Sequence, residues 1–223
     1  MAKHTEKEGN ILRRNWEAIE AGDCNTIEDI LKKHLKLLQR PYSDDGCQYT
    51  ILDESLKYAG QRGQLELVKL FVQYGGDINA REDDKDAEGM IRCLFHDGDK
   101  NIEIVRWLLE HGAVINQVRR GRRTSSSLIY AAMRGAIEGV KLLLQHGAEI
   151  NGYANVPMTA LDYALGFGHQ HVADYLRAHG GLAGWQAGRC AANRHRNRPG
   201  LPPRCSNTFR PSWVRLNPFR SKK

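Results

Sequence analysis

No run in this 223-residue chain approaches the ~20 consecutive apolar residues of a membrane-spanning helix, so a bilayer span is not expected. The opening MAKHTEKEGN lacks the apolar segment of a secretory signal, which predicts an intracellular protein, cytoplasmic by default. Cysteine is sparse: Cys24, Cys47, Cys93, Cys190 and Cys205 are odd in number, widely spaced and include no C-x-x-C pair. That argues against a disulfide framework and a zinc site, and predicts reduced thiols. Neither a phosphate-binding glycine loop, a nucleophile elbow nor a metal-ligand spacing occurs, so no catalytic residue, metal or cofactor is expected.

Acidic residues are missing altogether from 182–223, which hold ten Arg and Lys side chains, a charge of +10. Residues 1–181 carry 23 basic against 26 acidic side chains, a charge of −3. The formal net charge of +7 therefore belongs to the tail and says nothing about the body. With 41% hydrophobic residues the body is rich enough in apolar side chains to fold.

What the body does contain is a repeat. YGGDIN (74–79), HGAVIN (111–116), HGAEIN (146–151) and HGG (179–181) recur, and Gly75, Gly112, Gly147 and Gly180 stand 37, 35 and 33 residues apart. Each follows an apolar pattern at helical spacing: Leu65, Val68, Phe71 and Val72; Ile102, Val105, Leu108 and Leu109; Ile137, Val140, Leu143 and Leu144. A glycine after such a run suits the left-handed C′ position of a helix end. A shorter helix is predicted ahead of each, in SLKYAGQRG (55–63), MIRCLFHDG (90–98), SLIYAAMRG (127–135) and ALDYALGFG (160–168). In all four an apolar residue sits seven before the closing glycine: Leu56, Ile91, Leu128 and Leu161.

These features resemble the ankyrin repeat. Thr159, Leu161 and Ala164 match the family's T-P-L-H-x-A, with Ala160 for Pro and Asp162 for His, and LLLQHGAEIN (142–151) is similar to its second-helix ending. WEAIEAGDCNTIEDILKKH (16–34) adds a unit upstream, with Ala18, Gly22, Ile27, Ile30 and Leu31 in register. The resemblance implies an all-α solenoid of about five helix-turn-helix repeats over residues 11–181, with hairpin-like fingers. The expected units are about 11–40, 52–80, 88–116, 124–151 and 157–181, after a polar extension at 1–10. The inner turn Gly98-Asp-Lys-Asn-Ile102 is longer by two than its counterparts. Asn15 stands where Leu56 stands in the next unit, and Gln170 and Arg177 replace apolar residues of the earlier units. They read as polar caps at the two ends of the stack.

For this family the resemblance implies protein–protein binding through fingers and the face of the first helices. Arg119, Arg120, Arg122 and Arg123 lie in one connecting finger, with Gly121 at its centre suited to a hairpin tip. The preceding finger, 81–88, carries Asp83, Asp84 and Asp86 and a charge of −3, and Tyr153 lies in the next. Two readings stand: a solvated salt-bridge ladder between fingers, or a bipolar edge that steers a charged partner. Arg122-Arg123-Thr124-Ser125 also resembles a basophilic kinase site, with Ser125 as acceptor. A nuclear address read from RRGRR is the alternative to the cytoplasm.

His111, His146 and His179 recur just before the C-terminal glycines, where a histidine meets the negative helix end. They read as structural. Most of the seven prolines fall in residues 182–223, which predicts a disordered tail. There Trp185, Phe209, Trp213 and Phe219 alternate with arginines, a pattern that can bind nucleic acid or an anionic surface. The expected function is that of a monomeric, non-enzymatic adaptor for a protein partner. Two alternatives are a microbial toxin-neutralising or effector protein that blocks an enzyme, and nucleic-acid binding through the tail.

Overall fold

The structure, a computed structural model, describes residues 6–41, 49–80, 90–115, 117–119, 122–124, 126–152 and 158–184. Ten helices run in pairs: α1 (Glu6–Ala21) with α2 (Cys24–Leu38), α3 (Ile51–Gln61) with α4 (Leu65–Gln73), and α5 (Met90–Leu94) with α6 (Ile102–Glu110). A short hairpin, β1 (Gln117–Arg119) and β2 (Arg122–Thr124), precedes α7 (Ser126–Met133) and α8 (Ile137–Gln145). The last pair is α9 (Ala160–Gly166) and α10 (Gln170–Ala178). Odd-numbered helices pack on one another in series, α1 on α3 through α7 on α9, and the even-numbered helices do the same. The result is two layers, an inner one of first helices and an outer one of second helices.

Pairing occurs because each helix has one apolar stripe and cannot bury it alone. Leu56, Ile91, Leu128 and Leu161 are all buried, as are Val68, Val105, Val140 and Ala173 one layer away. Phe71, Leu108, Leu143 and Leu176 complete the outer-helix contribution, and one cluster runs unbroken from Ala18 to Leu176. Burying such side chains contributes about 1.5–3 kcal/mol each. Three details differ from the sequence reading. Leu65, Ile102 and Ile137 are only half-buried, and Leu67, Ile104 and Gly139 take the third core position. Inner helix α3 begins at Ile51, a turn earlier than Ser55, because Thr50 and Asp53 form a capping box. Asn15 is not a solvent-facing cap: it is fully buried and donates from Nδ2 to Ser55 Oγ at 2.9 Å. Its side chain faces α3, where a hydroxyl rather than a leucine awaits it. At the other end Gln170 and Arg177 are exposed.

Each outer helix ends in the same device. Gly75, Gly112, Gly147 and Gly180 have φ of 92°, 89°, 85° and 88°. The residue after each glycine donates its N–H to the carbonyl five residues back, as Ala113 does to Leu108 and Ala148 to Leu143, both at 2.9 Å. This is the Schellman pattern, which satisfies the orphan carbonyls of the last turn. Nothing lies within 4 Å of the β-carbon site of Gly112, so Gly112→Ala tests the backbone alone. A loss of about 1–2 kcal/mol is expected from the left-handed φ. Gly9, in α1 with an equally open site, should instead gain up to about 1 kcal/mol on Gly9→Ala. Equal urea midpoints for the two variants would contradict this.

The recurrent Ile-Asn is a clamp. Asn79 donates from Nδ2 to Gly112 O at 3.2 Å and accepts from Val114 N at 2.8 Å. Asn151 repeats this one end further on, with Gly180 O at 3.1 Å and Leu182 N at 2.7 Å. Each amide thus ties its own loop to the left-handed turn of the following pair. Tail residues 182–184 are also held: Thr159 Oγ1 donates to Leu182 O at 2.7 Å and Gly184 N donates to Asp162 at 2.7 Å. The expected disordered tail, from residue 185 onward, lies outside the described residues.

Candidate partner-binding face

On an inner helix the buried stripe fixes which residues remain outside. In α7, Leu128, Ala131 and Ala132 are buried, which leaves Tyr130 half-buried and Arg134 exposed on the opposite arc. Counted back from the closing glycines, Tyr58, Tyr130 and Tyr163 occupy one equivalent position, and Arg62, Arg134 and Phe167 another. Stacking the helices turns these positions into a continuous face lined by rings and guanidinium groups.

Contacts along that face are specific. Trp16 meets Tyr58 edge-on at a centroid distance of 5.5 Å, and Tyr58 Oη donates to Glu20 at 3.1 Å. Arg62 lies over the Tyr58 ring at 5.9 Å. One pair further on, Tyr130 carries two guanidinium groups, Arg92 at 4.4 Å and Arg134 at 5.2 Å. Arg134 Nη2 also donates to Tyr130 Oη at 3.0 Å and stands 3.0 Å from His96 Nδ1. Burial pulls the Arg92 pKa below the usual guanidinium range; Cys93 and Tyr130 oppose the shift and the Arg134 charge adds to it. Arg92 nonetheless stays charged at neutral pH.

Outer helices manage their charges differently. Lys69 pairs with Glu66, Arg106 with Glu103, Lys141 with Glu138 and Arg177 with Asp174, each three residues apart. Such exposed pairs stabilise by about 0–1 kcal/mol and leave the outer surface locally neutral. Among the described residues neither Arg62 nor Arg134 has an ion-pair partner.

The fingers are only partly described. β1 and β2 pair antiparallel with Gln117 opposite Thr124, Val118 opposite Arg123 and Arg119 opposite Arg122. Three of the four candidate arginines thus belong to a two-stranded ladder that residues 120 and 121 connect. Arg120, Gly121, Ser125, Asp83, Asp84, Asp86 and Tyr153 lie outside the described residues. The recurring histidines have local roles: His111 Nδ1 lies 2.7 Å from Trp107 O and its ring stacks on Trp107 at 3.8 Å. His179 does the same with Tyr175, at 2.8 Å and 4.0 Å. His169 and His171 reach back to Met133 O at 3.0 Å and Gly135 O at 3.2 Å, tying the last pair to its neighbour. Among the described residues no helix is long and apolar enough to cross a membrane.

Residues 99–183 match the family described as ankyrin repeats (3 copies), and the same helix pairs and left-handed turns continue upstream through α1–α4. The chain carries ankyrin repeats. Two relatives from Arabidopsis thaliana are similar over part of this array. The putative E3 ubiquitin-protein ligase XBAT35 is 28% identical over 124 residues, which is 55% of this chain and 26% of the relative. The putative E3 ubiquitin-protein ligase XBAT34 is 35% identical over 81 residues, 36% of this chain and 22% of the relative. The chain therefore spans about a quarter of the length of these curated relatives. Ankyrin repeats are protein-interaction units without catalytic machinery of their own, so the described body is a protein-interaction module.

Proposed function

We propose that the chain is a non-enzymatic adaptor that holds a protein partner against its inner-helix face and its fingers. The observation that carries this is the ring-and-guanidinium lining of the inner face, Trp16, Tyr58, Arg62, Arg92, Tyr130 and Arg134, set on rigid helices. Tyrosine, tryptophan and arginine are the side chains that concentrate binding energy at protein interfaces. Holding them in place before binding reduces the entropy lost on association. The arginine finger supplies long-range attraction to the same partner.

Affinity capture with the full-length chain from its native source tests the reading. A protein should be retained, and charge reversal of Arg119, Arg120, Arg122 and Arg123 together to glutamate should weaken its capture about ten-fold or more. Capture that ignores the reversal would take the arginine finger out of the interface. Retention of nothing proteinaceous would end the adaptor reading. The likeness to two putative ubiquitin ligases favours one form of it, in which the captured protein is presented for ubiquitin transfer. Ubiquitin conjugates on the retained protein would distinguish that form.

A further inference from the structure

We infer that the Arg92–Tyr130–Arg134–His96 cluster is a seat for a carboxylate side chain on an acidic segment of the partner protein. This deepens the adaptor reading and rests on it. Two guanidinium groups share one tyrosine ring, at 4.4 and 5.2 Å, so they stand no more than about 10 Å apart and repel each other. Elsewhere in the molecule a cation on a helix is met by a carboxylate one turn earlier. Here Arg134 spends its described contacts on Tyr130 and His96, and a second guanidinium is brought alongside.

A cluster of that kind is assembled between repeats. Arg92 and His96 come from α5 and the turn after it, Tyr130 and Arg134 from α7 and its end. Stacking on a ring restrains a guanidinium while keeping its N–H donors at the rim, the arrangement that suits bidentate recognition of a carboxylate. An incoming carboxylate relieves the repulsion between the two arginines and takes hydrogen bonds from donors that are already placed. Neighbouring Arg62 over Tyr58 extends the same chemistry by one repeat, so the fitting ligand is an extended segment with acidic side chains.

The test uses the full-length chain and a fluorescein-labelled deca-glutamate peptide, with deca-glutamine as the uncharged control, read by anisotropy. Deca-glutamate should bind and deca-glutamine should not. Arg92→Gln with Arg134→Gln should weaken binding about ten-fold or more, the size expected for losing charged donors at a contact. Tyr130→Phe keeps the ring and should stay within about three-fold. Arg189→Gln with Arg194→Gln, in the basic tail, should change it by less than about two-fold. Unfolding midpoints of the variants confirm that each remains folded. Equal affinity for the two peptides overturns the inference, and so does loss of binding with the tail variant but not with Arg92→Gln/Arg134→Gln. Tighter peptide binding after neutralising Asp83, Asp84 and Asp86 to asparagine would make that finger the resident occupant and would likewise overturn it. A protein captured from the native source whose retention ignores Arg134→Gln sinks the carboxylate seat while leaving the adaptor reading intact.

Discussion

Phe95→Ala is expected to lower the unfolding free energy by about 3–5 kcal/mol, the cost of emptying a large aromatic site in a packed core. Phe95 is 1% exposed and follows the short helix α5. Its ring occupies space that a side chain on α8 would otherwise fill. A β-carbon built on Gly139 would lie 2.2 Å from Phe95 Cε1 and 2.8 Å from Cζ. Gly139→Ala alone therefore forces a shift and should cost about 1–3 kcal/mol by overpacking. The two changes are not independent. Phe95→Leu with Gly139→Ala should recover part of both losses, with a coupling of about 0.5–3 kcal/mol in a double-mutant cycle. Urea unfolding at constant m-value reads each corner of the cycle. Simple additivity would show that the ring and the glycine do not share the site.

Asp53→Ala should cost about 2–4 kcal/mol. Asp53 is 6% exposed and acts as acceptor for three donors: Thr50 N at 2.9 Å, Thr50 Oγ1 at 2.7 Å and Asp77 N at 2.8 Å. The first two close the start of α3; the third secures the loop that leaves α4. Removing the carboxylate strips a capping box worth about 1 kcal/mol and leaves a half-buried N–H without its acceptor, at about 1–3 kcal/mol. Asp53→Asn keeps one oxygen and should lose about half as much. Asp174, exposed and paired with Arg177, is the comparison: Asp174→Ala should stay within about 0.5 kcal/mol. Equal thermal midpoints for Asp53→Ala and Asp174→Ala would refute the role given to Asp53.

Most of this architecture was legible in the sequence because it rests on backbone requirements. A glycine that must adopt a positive φ, a leucine seven residues before it and a fixed interval between units are marks that each repeat prints anew. What escaped was whatever one repeat does for another. Asn79 and Asn151 look like residues leaving a helix, and their amides clamp the next turn only once the units are stacked. Asn15 looked like a polar end cap because the apolar position was compared, not its neighbour Ser55.

The inner-face cluster was missed for the same reason. Arg92 and His96 are separated from Tyr130 and Arg134 by 38 residues in each case, and no local motif joins them. A signal existed: aligning units on their closing glycines places three tyrosines in one column and two arginines in another. The charged fingers were conspicuous in sequence because their charges are consecutive. Arginines spread one per repeat are quieter, and stacking is what gathers them.

The long inner turn of the third repeat gives the array a direction. Helix α8 starts behind Ala136, which has no side chain able to cap it. The missing acceptor comes from the preceding repeat, where Asp99 takes Glu138 N at 3.1 Å and Gly139 N at 2.7 Å. Asp99 exists only because that turn has two surplus residues, and Phe95 beside it demands the glycine at 139. Units three and four are thus a matched couple, and neither could be duplicated, deleted or traded with a sibling without orphaning the other. The order of the modules is written into their irregularities, and sequence drift at these two joints is constrained to move in step.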